Sequence, residues 1–227
     1  MDAGAGVVMG ADDRIERIRT VYEQVVFGGD AGGLDDAERG LDAVEADAAV
    51  GRGRLLHARF LNERTAGLVP VEDPAALPLF ERAATLYQDL GDVRGEGEAL
   101  FWIGCLYQVV RRDNGAAVPI LERSRRLAAQ AGDEATEADA LRHLGIAAHA
   151  AGRLDEARER LEESSRLWRR AGTLPGVAAN MIGLAYIDAA RDRRADAMAT
   201  LDEAYAIATA HGARAVARQI EQVRTEI

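Results

Sequence analysis

The sequence predicts an all-α chain built by repeating a two-helix unit, and four observations carry that prediction. Alanine, leucine, arginine and glutamate dominate the 227 residues, and all four are good helix formers. Aromatic residues are only 5%, which argues against a β-sandwich or barrel, because strands favour aromatic and β-branched side chains. Glycines recur at a fixed interval: Gly51, Gly91, Gly132, Gly172 and Gly212 are spaced 40, 41, 40 and 40 residues apart. Each reads as the residue just past a helix end, where the left-handed backbone suits glycine. Finally, Ala76 and Phe80, Ala117 and Leu121, Ala157 and Leu161, and Ala197 and Leu201 keep one distance from the following glycine. A separation of four residues puts each small–large pair on one helix face.

The elements follow in order. Residues 1–11 read as a disordered start, and they lack the basic region and apolar run of a signal peptide. The repeat domain is expected over 12–212. Its first unit, about 12–51, pairs helices 12–28 and 34–49; Ala37 and Leu41 carry the small–large pair one residue out of register. The second, 52–91, pairs 53–66 with 74–90, and Asp73-Pro74 is a strong start signal for the latter helix. The third, 92–132, pairs 94–110 with 114–130. The fourth, 133–172, pairs 134–151 with 154–171, and the fifth, 173–212, pairs 174–190 with 193–211. Residues 213–227 form a capping helix with Val216, Ile220 and Val223 on one face. First helices carry their own signature: Ile103-Gly104, Leu144-Gly145 and Ile182-Gly183 stand in matching positions. A mid-helix glycine costs roughly 1 kcal/mol, so its recurrence implies close approach of a neighbouring helix.

Composition bounds the function. The net charge is -10, and with no lysine in the chain all 28 basic residues are arginine. Without a basic stripe, direct nucleic-acid binding is not expected. The single cysteine, Cys105, excludes an intramolecular disulfide and a cysteine-cluster metal site. No run approaches the ~18 apolar residues of a membrane span, so a cytoplasmic chain without membrane contact, metal or cofactor is expected.

The pattern Leu141, Leu144, Gly145, Ala157, Leu161 resembles the tetratricopeptide repeat (TPR), and Ile103-Gly104-Tyr107 and Ile182-Gly183-Tyr186 match its Leu-Gly-x-x-Tyr core more closely. Residues 53–212 carry the resemblance well and 12–51 weakly. The period of 40 or 41 exceeds the usual value of about 34. It is similar to the long-unit repeats of kinesin light chain and of the sensor domain of the bacterial maltose-regulon activator. The proline that usually closes the unit is replaced by glycine. The resemblance implies a right-handed α-solenoid of about five helix-turn-helix repeats plus a C-terminal cap, with first helices lining a concave face.

Counted from the matched Leu-Gly pairs, the resemblance places Glu98, Phe101, Cys105 and Gln108 on that face in the third unit. The fourth gives Asp139, Arg142, Ile146 and His149, and the fifth gives Val177, Asn180, Leu184 and Ile187. His143 and His149 are six residues apart and do not share a helix face, so a zinc pair is not expected. Cys105 and His149 could meet as nucleophile and base, but a free cysteine is usually a small buried hydrophobe. Trp102 and Trp168 read as packing residues. Asp139, three residues before Arg142, has the spacing for a local ion pair. Chaperone-binding members of the family grip a terminal carboxylate with lysines, arginine and asparagines. This chain has no lysine, and Glu98 and Asp139 would repel a carboxylate.

The mixed lining suits a protein or peptide partner, so a non-enzymatic interaction scaffold is the first functional expectation. A small-ligand sensor acting with a separate effector is the alternative. An enzyme on a solenoid scaffold ranks behind both. A homodimer through the weakly repeated N-terminal unit is a further expectation, since the other end looks capped.

Overall fold

The computed structural model describes residues 11–227; the expected disordered start, apart from Ala11, lies outside the described residues. The chain is all-α, a solenoid of consecutively packed helices with no strand among the described residues. The helices are α1 (Ala11–Gly28), α2 (Leu34–Thr65), α3 (Ala76–Leu90) and α4 (Val93–Cys105). A π-helical turn, Leu106–Val110, continues α4. Then come α5 (Asn114–Ala131), α6 (Glu134–Ala150), α7 (Leu154–Arg170), α8 (Leu174–Ala189), α9 (Arg194–Ala210) and α10 (Arg214–Glu226). The chain divides into two compact parts, Met1–Gly95 and Glu96–Ile227.

In the first part, the expected helices 34–49 and 53–66 are one helix, α2, of 32 residues. Gly51 is not a helix stop: it lies inside α2 and is absent from the positive-φ glycines. The physical reason is local. Ala48, Ala49 and Val50 precede it and Arg52, Arg54, Leu55 and Leu56 follow it, with no proline nearby, and an interior glycine costs only about 1 kcal/mol. Gly53 serves close packing instead: a Cβ there would lie 2.5 Å from the Phe80 ring of α3. Two polar contacts tie the same pair of helices. Tyr87 donates to Asp47 at 2.7 Å, and Arg82 pairs with Glu45 at 2.7 Å. The expected cap at Asp73 is not formed: α3 begins at Ala76 behind Ala75 with no side-chain cap, and Asp73 Oδ1 accepts from the Ala75 amide at 2.9 Å in the turn ahead of it.

In the second part the small–large pattern is the core. Ala117, Leu121, Ala157, Leu161, Ala197 and Leu201 are all buried. The expected close approach at the mid-helix glycines is present. A Cβ on Gly104 would meet Leu121 at 2.7 Å, one on Gly145 would meet Leu161 at 2.9 Å, and one on Gly183 would meet Leu161 at 2.7 Å. Gly132, Gly172 and Gly212 do end helices in the left-handed region, at φ of 68°, 75° and 65°. Asp113 and Asp133 start the next helices by accepting from the amides of Ala116 and Thr136. Trp168 is buried, and a Cβ at Gly176 would strike its ring.

Two substitutions test these readings by urea denaturation. Gly51→Ala, at an exposed site with nothing within 4 Å of the new Cβ, is expected to stabilise the chain by about 0.5–1 kcal/mol. A loss instead would mean that α2 is broken there. Leu161→Ala is expected to cost about 2–5 kcal/mol.

Candidate functional site

The candidate site lies wholly within Glu96–Ile227, on first helices α6, α8 and α10. Here a pocket of about 300 Å³ opens between them. From α6 come Arg142, Ile146 and His149, three of the expected lining residues. They share a face because their spacing of four and three residues follows the helical turn. Leu161 of α7 closes the space behind. Ala179, Ile182, Gly183 and Tyr186 form the α8 wall, and Gln219 of α10 the third.

Arg142 is half-buried and fixed by an anchored partner. Its Nη1 donates to Asn180 Oδ1 at 3.0 Å. Asn180 is fully buried, and its Nδ2 faces Leu161 O at 3.2 Å, Ser164 Oγ at 2.9 Å and Ser165 Oγ at 3.1 Å. Both serines spend their own protons on backbone carbonyls, Ser164 on Ala138 and Ser165 on Leu161. The orientation of the guanidinium is therefore set two shells deep. Burial pulls the Arg142 pKa below the usual arginine value, and the charges of Asp139 and Cys105 oppose the fall. Asp139 thus acts on Arg142 as a neighbouring charge, though neither it nor Glu98 lines the pocket; both are half-buried.

The remaining expected lining residues are placed elsewhere. Phe101, Cys105, Gln108, Val177, Asn180 and Ile187 are buried, so they do not present an open surface. Leu184 packs on Ala148, Ala157 and Leu161 rather than on the pocket. The physical reason is that consecutive first helices pack side by side, and these positions fill the seam. Along α8 the pocket face is turned by one residue, about 100°, from the expected one. Asn180, Leu184 and Ile187 give way to Ala179, Gly183 and Tyr186. Tyr186 belonged to the repeated Ile-Gly-x-x-Tyr signature, and that recurrence was the one signal pointing to this wall.

Cys105 meets His143 rather than His149, and it is buried, as expected of a free cysteine. Its Sγ lies 4.0 Å from His143 Nε2. Gln108 Nε2 donates to Asn114 Oδ1 and to the His143 carbonyl, both at 3.0 Å. Its Oε1 is then the acceptor for His143 Nδ1, which places the proton on Nδ1. The π-helical turn carries Gln108 to this position. Thiol, imidazole and amide stand in the order of nucleophile, base and orienting group. The thiol, however, is buried beside Phe101, whose ring meets His143 edge-on. The set ties α4 to α6 and offers a substrate no approach. Among the described residues no group of three His, Cys, Asp or Glu could hold a metal ion, and no helix is long and apolar enough to cross a membrane.

At the far rim, Tyr186 donates to Glu226 of α10 and its ring lies 6.2 Å from that of His149. Burial and the Glu226 bond push the Tyr186 phenol up to about 12. An unfolded tyrosine titrates near 10, so between about pH 10 and 12 the folded chain keeps a proton that the unfolded chain loses. Stability therefore falls as pH rises through that window. Tyr186→Phe is expected to flatten this part of the urea-midpoint profile; an unchanged slope would remove Tyr186 as its source.

A family model described as tetratricopeptide repeat matches residues 136–210, from α6 through α9. No curated protein sequence matches the chain. The matched residues contain both the Leu161 packing contacts and most of the pocket wall, and this segment of the chain belongs to the tetratricopeptide-repeat family.

Proposed function

We propose that the chain is a non-enzymatic interaction module that docks a partner protein on the face formed by α6, α8 and α10. Tetratricopeptide repeats mediate protein–protein contacts as a family and are typically non-enzymatic. The observation that carries the reading for this chain is the pocket, where a fixed arginine stands beside apolar wall residues. Ile146 adds to it: 38% exposed, it is the one large hydrophobic residue left open in Glu96–Ile227 among the described residues. An isolated arginine ringed by apolar surface is the composition of an anchoring hot spot.

The test separates docking from folding. Ile146→Asp is expected to abolish capture of the partner that the wild-type chain retains, with a nearly unchanged thermal melt. Phe101→Ala, at a buried site, is expected to lower the melt by the equivalent of about 3–5 kcal/mol. A partner retained by Ile146→Asp would count against the reading.

Self-association through the N-terminal region is the second reading, and surface composition favours it. Among the described residues, ten of the eleven exposed large hydrophobics lie between Ile15 and Val71, including Tyr22, Val26 and Phe27 on α1. Light scattering is expected to give twice the monomer mass, and Phe27→Glu to return the monomer. A monomer at all concentrations would end this reading.

A further inference from the structure

The pocket also constrains the chemistry of what fills it. Its one cationic guanidinium, Arg142, has five N–H donors and no acceptor, so a group that meets it must accept. An ammonium head cannot bond to the guanidinium, and Glu98 and Asp139, expected to repel a carboxylate, do not line the pocket. The surrounding wall of Ile146, Leu161 and Ile182 asks for an apolar body. The volume of about 300 Å³ equals the share of on the order of ten water molecules in the liquid. That suits a compact molecule and not a run of peptide backbone. Small residues make the space: Ala179 and Gly183 stand where larger side chains would fill it, and Gly183 is already required by its contact with Leu161. Asn180 holds Arg142 in place, so the site is preorganised.

We propose that this pocket binds a compact apolar molecule with a hydrogen-bond acceptor head, a carboxylate or a carbonyl. The head lies on Arg142 and the body against Ile146, Leu161 and Ile182. The proposal rests on the reading that this face is the functional site, and it names the occupant of its pocket. His149 and Tyr186 at the rim set the length of molecule that fits, and Gln219 places α10 in contact with it.

The test is calorimetry and thermal shift on the full chain with matched probes: hexanoate and benzoate, their primary amides, and hexylamine and benzylamine. Saturable binding by the acids or amides, with none by the amines, is expected. Arg142→Met is expected to weaken acid binding about tenfold or more. Because that variant also loses the Asn180 contact, Ile146→Trp is the second: it blocks the pocket from an exposed position and should abolish binding with an unchanged melt. Amine binding equal to acid binding would overturn the proposal. So would acid or amide binding that survives Ile146→Trp. Absence of any acid or amide binding would overturn it as well. If that happens while partner capture still depends on Ile146, the docking reading stands alone; if capture also ignores Ile146, both fall.

Discussion

One leucine sets the geometry from which the rest of the C-terminal part follows. Leu161 of α7 faces Gly145 of α6 on one side and Gly183 of α8 on the other. A Cβ at either glycine would come within 3 Å of its side chain. So two first helices, one from the same repeat and one from the next, close on a single side chain. The glycines cost helix propensity, roughly 1 kcal/mol each. Buried leucine contact and the approach of two helices offset that cost. Leu121 against Gly104 is the same device one repeat earlier.

Close approach brings backbone near backbone, and polar ties follow. Ser124 donates to the Gly97 carbonyl and Ser164 to the Ala138 carbonyl, both at 2.7 Å. These serines stand 40 residues apart and join second helix to first helix in successive repeats. In the fifth repeat the equivalent position is Ala204, buried in the apolar cluster around Leu201. There α9 packs on α10. Asn180 extends the Ser164 tie across the seam to Arg142. Charged pairs run over the same seams farther out: Arg160 reaches Glu122, and both Arg158 and Arg193 reach Asp188. Asp188 is buried, so removing its arginines would leave an uncompensated buried charge; the buried serine and asparagine bonds also fix register.

What the sequence made legible follows from which forces act locally. Left-handed glycines and small–large pairs act within a few residues, so Gly91, Gly132 and the Ala157–Leu161 pair were readable in place. Gly51 was misread because a helix end is decided by its flanks as well as by its glycine. Its flanks continue the helix, while Gly53 is kept small by Phe80, which is 27 residues away in sequence. On α6, Arg142, Ile146 and His149 all reach the pocket. On α8, Asn180, Leu184 and Ile187 do not line it. The rotation of that helix is set by Gly183 seating on Leu161 and by Asn180 turning inward to three acceptors, and neither partner lies on α8 itself.

The two seams that flank α6 are filled differently. At the α4–α6 seam the space is filled by Phe101, Cys105, Gln108 and His143, joined by ring contact and hydrogen bonds. The π-helical turn adds a residue to the helical circuit and brings Gln108 into that space. At the α6–α8 seam α8 is a regular α-helix to Ala189, and it offers Ala179 and Gly183 in place of bulk. Arg142 is drawn toward Asn180, which leaves Ile146, Ile182 and Leu161 facing one another across open volume. A chain selected only for stability would gain from filling that volume, at roughly 25 cal/mol per Å² of apolar surface covered. Repeats that pack by one rule at both seams therefore differ where one keeps its residues small and its arginine fixed, and that difference places the functional reading at α6, α8 and α10 rather than along the whole stack.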